Sequence, residues 1–422
     1  MSASGGSPKP GMLNVIPSVV ERHAAEAAFL WSLRDVATDQ PHYTLGHLAK
    51  LEARLEAHID ALHVARDAGF EIARTQFDRE PGPGELFVAS TLALESRIDA
   101  RVDIVRRQAE AVPQSRRGLF GALGWVTPGS LRGRVMSWFD APSSFQRLAG
   151  VIACSLQRAN PGATIERLLE DESVVRARAL RLVGELGRVD LLEHVRKAHS
   201  DPDDTCRFWS GWSAGLLGDR ASAIPILKTY AAADSKFQSR ALELLVRLLD
   251  HNAAKSWIRE FGSDPLRGRL SVVATGVLGD PVVVPWLLEK MKVAAFARVA
   301  AESFSMITGT DLLEDGLDGP EPSGFVASPD DENHDGNLTW PDPGKLDAWW
   351  QAARARFASN ARYLRGVPLT AEACSQILRE GHQRERRAAA YEWALISPGR
   401  VLWNWRARAQ VQAKSLRAPT EI

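Results

Sequence analysis

The chain has few of the features that announce a chemistry. It holds three cysteines in 422 residues, Cys154, Cys206 and Cys374. They stand far apart, so no CxxC pair or other metal spacing exists, and a disulfide framework is excluded. A sparse, odd set fits a reducing compartment and small buried side chains. No apolar run approaches the roughly 18 residues of a membrane span. Neither sign of charge dominates, with 52 basic and 52 acidic residues. A neutral chain has no global field to draw in DNA or an anionic membrane. The motifs GxSxG, GxGxxG, HExxH and the P-loop are all missing, which weakens the case for an enzyme without excluding a site assembled from distant residues. The first residues, MSASGGSPKPGMLNVIP, show neither an apolar signal core nor a cleavage motif and read as a disordered tail. The expected setting is cytoplasmic.

What is present is a beat. SAGLLGD begins at Ser213 and ATGVLGD at Ala274, 61 residues later, with LLVRLLD (244–250) halfway between and LVGELGR (182–188) one step earlier. Each closes a helical pattern of small and aliphatic residues, and most are followed by a second apolar helix such as AIPILKTYA or VVPWLLEKM. Gly218-Asp219 and Gly279-Asp280 are helix-stop and turn chemistry. Asp201-Pro202 and Asp264-Pro265 mark the start of the next pair. The pattern spans roughly seven helical pairs between Pro83 and Gly309, a period that predicts an all-α fold, an α-solenoid of paired helices. Alanine and glycine on the helix faces allow close approach, and leucine, isoleucine and valine fill the gaps.

The combination of Asp-Pro start, arginine, small-residue helix, Leu-Gly-Asp and aliphatic second helix resembles HEAT-like repeats of the phycobilisome-lyase type. VVERHAAEAAFLWSLRD, ARVAAESFSMITGTDL and WPDPGKLDAWW resemble, more narrowly, a proteobacterial HEAT-repeat family of unsettled function whose members are associated with type VI secretion clusters. The resemblance covers nearly the whole chain from Ile16 to Leu416. It implies a solenoid and a secretion-related setting. It implies no activity, because such arrays serve many roles.

The expected organisation is a tail (1–15), an N-terminal helical cap (16–82), the repeat array (83–309), an acidic insert rich in proline and glycine (310–342) and a C-terminal helical block (343–416). In the cap, Leu48, Leu51, Leu55, Ile59 and Leu62 recur at helical spacing, which suits either a plain cap or a coiled hairpin for a partner. His23, His58 and His63 have acids nearby but no zinc pattern. The C-terminal block carries Trp349, Trp350, Trp393, Trp403 and Trp405 among many arginines. These either cement a cap or stack on nucleic-acid bases, and charge neutrality disfavours the second.

Within the insert, DENHDGNLTWPD (331–342) nearly meets an EF-hand loop, with Asp331, Asn333, Asp335, Gly336 and Asn337 in register. The prolines upstream oppose an entering helix, and Asp342-Pro343 reads as a helix cap followed by proline in the first turn. An acidic linker that needs no calcium is therefore expected, and no cofactor or metal is assigned.

These features point to a protein-interaction scaffold or adaptor, with accessory service to type VI secretion as the resemblance implies. The partner is expected to be a protein, held on the face formed by one helix of each pair. Arg176, Arg207, Arg240 and Arg269, near helix starts, are the candidate binding residues. Their structural alternative is hydrogen bonding to the carbonyls of the preceding turn. The rival classes are a lyase-like enzyme or cofactor handler and, less favoured, a nucleic-acid-binding HEAT protein.

Overall fold

The computed structural model describes residues 15–327 and 335–417. Residues 1–14 of the expected N-terminal tail, and Asp331 and Asn333 of the near-EF-hand loop, lie outside the described residues. The fold is mostly helical. Among the described residues, strand is confined to one hairpin, β1 (Tyr363–Leu364) against antiparallel β2 (Val367–Pro368). The chain divides into two compact units. The first holds the chain up to Ala37 together with His47–Arg134, and the second holds Thr38–Gly46 together with Val135 onward. This division falls inside the stretch expected as one repeat array.

The first unit contains α1 (Pro17–Ala37), α2 (Leu45–Val64), α3 (Arg66–Arg79), α4 (Pro83–Ser96), α5 (Asp99–Ala111), α6 (Arg116–Trp125) and α7 (Pro128–Leu131). Helix α4 is its centre. Proline in its first turn suits a helix start, and every residue from Leu86 to Leu94 is buried. Helices α1, α3, α5 and α6 pack around it. Trp31 of α1 stacks on Phe87 of α4 at 4.8 Å, and Trp125 of α6 meets the same ring edge-on at 5.7 Å. The leucine stripe of α2 is buried at Leu48, Leu51, Leu55, Ile59 and Leu62, as its spacing requires.

The second unit begins with α8 (Arg134–Phe139) and continues as two rows. The front row is α9 (Ser144–Gln157), α11 (Ser173–Glu185), α13 (Asp204–Leu216), α15 (Gln238–Leu248), α17 (Gly268–Leu278) and α19 (Ala294–Thr308). Behind it stand α10 (Thr164–Leu168), α12 (Leu192–Lys197), α14 (Arg220–Ala232), α16 (His251–Phe261) and α18 (Val284–Met291). Each front helix packs on the next front helix, and each back helix packs on a front helix beside it in the chain. The small residues set the spacing. A Cβ on Gly184 would lie 2.5 Å from Ser213 Oγ, so α11 and α13 touch there. The hydroxyl of Ser213 donates to Leu180 O at 2.7 Å, and Ser303 repeats the device on Val272 O at 3.0 Å between α17 and α19. Aspartates start the helices: Asp203 accepts from Cys206 N at 2.9 Å, and Asp280 from Val282 N at 3.0 Å.

The C-terminal block comprises α20 (Pro343–Ala353), α21 (Ala371–Glu380), α22 (Gln383–Ile396) and α23 (Ala409–Arg417). It runs back along the front row. Asn404 donates to Leu156 O of α9 at 2.8 Å, Leu402 N donates to Glu185 O of α11 at 2.9 Å, and Tyr391 of α22 meets Trp212 of α13 edge-on at 6.2 Å. Glu392 forms an ion pair with Arg247 of α15 at 3.1 Å, and Arg384 pairs with Glu302 of α19 at 2.7 Å. Gly279 ends α17 with φ +72°, and a Cβ there would sit 2.4 Å from Tyr363 O. The Gly-Asp stops thus also clear room for this block.

The insert is anchored at its base. Leu312 and Leu317 are buried with Leu346 and Trp350 in the core around α18 and α19. Gly319 N donates to Trp340 O at 2.9 Å and Asp342 N to Leu317 O at 3.0 Å, which stitches its two arms together. Asp342 caps α20, accepting from Gly344 N at 2.9 Å and Lys345 N at 3.1 Å, with Pro343 in the first turn as the sequence indicates. The nine residues Thr38–Gly46 are fastened to the C-terminal block: Gln383 donates to Thr38 O at 2.9 Å and to Tyr43 O at 2.7 Å, and Arg406 pairs with Asp39.

Candidate functional site

Arginines at the starts of front-row helices form a ladder. Arg147 grips the Asp171 carboxylate with two bonds of 2.7 and 2.8 Å while donating to the carbonyls of Ala141 and Pro142 at 2.9 and 2.8 Å. Arg176 donates to the Asp171 carbonyl and grips the Asp201 carboxylate at 2.7 and 3.1 Å. Arg207 donates to the carbonyls of Asp201 and Pro202 at 2.6 and 3.0 Å and to Asp204 Oδ1 at 2.9 Å. Arginine and aspartate therefore alternate across three successive helices. Burial alone would raise the pKa of Asp171 and Asp201, but the bonds from Arg147 and Arg176 outweigh it and hold both below the usual aspartate range.

Of the four sequence-derived residues, Arg176 and Arg207 meet at Asp201, and both hold turn carbonyls. Arg269 is elsewhere: its Nε donates at 3.0 Å to Asp335, which is 1% exposed. The acid at the fifth position of the near-EF-hand loop is thus held by an arginine, and the one at the twelfth caps α20. Arg240 differs from the other three. Its guanidinium lies 5.3 Å from the Trp209 ring centre, and it has no hydrogen-bond acceptor or ion partner among the described residues.

Arg240 belongs to a second arginine cluster, midway along the front row. Glu185 of α11, 1% exposed, receives Arg181 at 2.8 Å, Arg158 and Arg178 at 3.4 Å each, and the Ser155 hydroxyl. Burial opposes the charge on Glu185, yet Arg181, Arg158 and Arg178 together hold its carboxyl far below the usual range. The arginines are pushed the other way. Burial lowers the pKa of Arg178, Glu185 opposes, and Arg181 and Arg158 add to the fall. Burial likewise lowers Arg240, with Arg181 and Arg387 contributing. Arg387 of α22 pairs with Glu243 of α15. Five guanidinium groups (Arg158, Arg178, Arg181, Arg240 and Arg387) thus face two carboxylates, Glu185 and Glu243; Arg247, 3.5 Å from Glu243, is answered by Glu392, so at least three positive charges are in surplus. Arg181 and Arg387 keep 33% and 36% of their side-chain surface open to solvent. Arg181 also lies over Trp209, at 4.7 Å, so the two cations bracket one indole.

The sequence held a signal for this basin. Arg178, Arg181 and Glu185 fall at helical spacing on one face of VRARALRLVGE. What it could not show was that Arg158, just past the end of α9, and Arg240 and Arg387 of two other helices come to the same place.

A separate groove of about 500 Å³ lies across α16, α17 and α18, with Ile258, Leu278 and Trp286 among its apolar walls and Lys255, Arg259 and Lys290 at its rim. Trp286 is 39% exposed. The three cysteines are buried and unpaired. Burial pushes the thiols up, Cys154 to about 11 and Cys206 and Cys374 to about 12, which is inert thiol behaviour. Among the described residues no group of three or more histidine, cysteine, aspartate or glutamate side chains is placed to hold a metal ion. No described helix is long and apolar enough to cross a membrane. Comparison with known proteins returns no match to a family model, to a curated protein or to a solved structure.

Proposed function

We propose that this chain is a protein-interaction scaffold, an α-solenoid of HEAT-like repeats that receives an acidic segment of a protein partner in the basin around Trp209. The carrying observation is the surplus of three positive charges beside Trp209. Arginine and tryptophan dominate the binding energy of protein interfaces because they combine large contact area with charge and hydrogen bonding. A cationic basin steers acidic partners and rejects basic ones. The sequence resemblance supports placing the scaffold beside type VI secretion as an accessory component. The C-terminal block already lies along the front row, so the partner engages the gap left open at Arg181, Arg240 and Arg387 rather than a bare array.

The test is a pull-down from the native cell with mass spectrometry, comparing the natural chain with Arg240→Glu. Arg240 holds no acceptor, so the helical circular-dichroism spectrum should be unchanged while the captured acidic partner is lost. The captured complex should also weaken as salt rises. A partner retained by Arg240→Glu but lost by Trp286→Ala would move the interface to the groove across α16–α18 and sink the basin reading.

A further inference from the structure

We propose that a second site, in a cleft of about 280 Å³ at α19, binds a small monoanionic carboxylate through Arg298. The cleft is lined by Arg298, Glu302 and Ser305 of α19, by Asp311 and Thr339 of the insert's two arms, and by Arg384 of α22.

Arg298 is 9% exposed. Its guanidinium lies 4.5 Å from the Trp340 ring centre and 5.8 Å from that of Phe325. The two rings meet edge-to-face at 5.0 Å and hold it in place. Yet it has no hydrogen-bond acceptor and no ion partner among the described residues. A largely buried arginine is ordinarily paired, and this one is not. The natural partner, Glu302 one turn further along α19, is taken by Arg384 at 2.7 Å. Arg384 also lines the cleft, but its Nη1 is committed to Glu302 and its unpaired Nε is closed off from solvent. Arg298 is thus the guanidinium on the cleft wall that lacks an acceptor a ligand anion would supply.

The surroundings select the anion. Asp311 accepts from the backbone N–H groups of Leu313 and Glu314 at 3.0 and 3.1 Å, which fixes its carboxylate on the cleft wall. Asp311 and Glu302 would repel a phosphate dianion, whereas one negative charge is balanced by Arg298. Burial raises the pKa of Glu302 although Arg384 opposes it, which weakens the repulsion a monoanion meets there. The planar fork of arginine matches a carboxylate with two parallel hydrogen bonds. The volume is at the small end of ligand pockets, which run from about 300 to 1,000 Å³. The Thr339 hydroxyl suits a short hydroxylated tail.

The test uses the full chain in thermal melts and calorimetry with acetate, 3-hydroxybutyrate and inorganic phosphate at matched ionic strength. At roughly ten times the dissociation constant, each carboxylate should raise Tm by about 1–2 °C in a chain of this size. 3-Hydroxybutyrate should bind more tightly than acetate, and phosphate should give no rise. Arg298→Lys keeps the charge and loses the fork, and should weaken carboxylate binding roughly tenfold. If that variant does not fold, the ranking of the three anions on the natural chain still decides. A rise with phosphate equal to that with the carboxylates, no rise with any of them, or a carboxylate effect that Arg298→Lys leaves untouched would each overturn the assignment.

Discussion

The ladder and the basin use the same residue type and share α11, and they differ in what answers the charge. In the ladder every guanidinium has a place: Arg147 and Arg176 each hold a carboxylate in two bonds, and Arg207 holds two carbonyls and an aspartate. In the basin three arginines share Glu185, and Arg240 has only an aromatic face. Arginine content alone therefore does not mark a working surface. The discriminating quantity is the number of guanidinium groups left without an acceptor after the chain's own carboxylates and carbonyls are assigned.

The comparison breaks hardest at Glu185. Replacing it with glutamine leaves Arg158, Arg178 and Arg181 clustered with no carboxylate among them. The expected loss is about 3–5 kcal/mol of unfolding free energy by chemical denaturation. Adding Arg178→Met to Glu185→Gln should restore part of it, because one repelling charge leaves with its partner. In the ladder, Arg176→Met should cost about 1–3 kcal/mol, and combining it with Asp201→Asn should cost less than the two losses summed. Asp335→Ala, which strands Arg269, belongs to the same range. A smaller effect separates the two regions by pH. Asp171 and Asp201 have folded pKa values below the ordinary 3.8. The stability they contribute is present above that value and lost as pH falls through the lower folded values. Melts of the natural chain and of Arg147→Met with Arg176→Met should therefore converge in acid. The smallest effect is expected at Arg240→Ala. With no acceptor to orphan, it should change stability by only about 0.5 kcal/mol while partner capture is lost.

Local features were legible from the sequence. The Asp342 cap, the Gly279 stop and the leucine stripe of α2 each follow from neighbours within four residues. The small residues at helix contacts were readable from composition and period. Asp335 reads as an acid of a linker, but it is buried against Arg269, 66 residues away in the chain. The course of the C-terminal block was hidden for the same reason. Arg158 donates to Leu402 O across 244 residues, and no periodicity reports such a contact. The tryptophans fit the cementing alternative. Trp350 is buried with Phe304 and Leu346, and Trp393, Trp403 and Trp405 belong to or pack against the core of the front row.

The nine residues Thr38–Gly46 also set a clock. They are made early, but Gln383, which holds Thr38, comes 345 residues later. At roughly 5–20 residues per second, a ribosome needs on the order of 20–70 s to cover that distance. Entropy is a minor obstacle to the eventual closure, since each doubling of a loop adds only about 0.6 kcal/mol. The delay is one of synthesis. Throughout it the backbone carbonyls of Thr38 and Tyr43 lack their Gln383 donors, and a chain arrested before Gln383 never receives them.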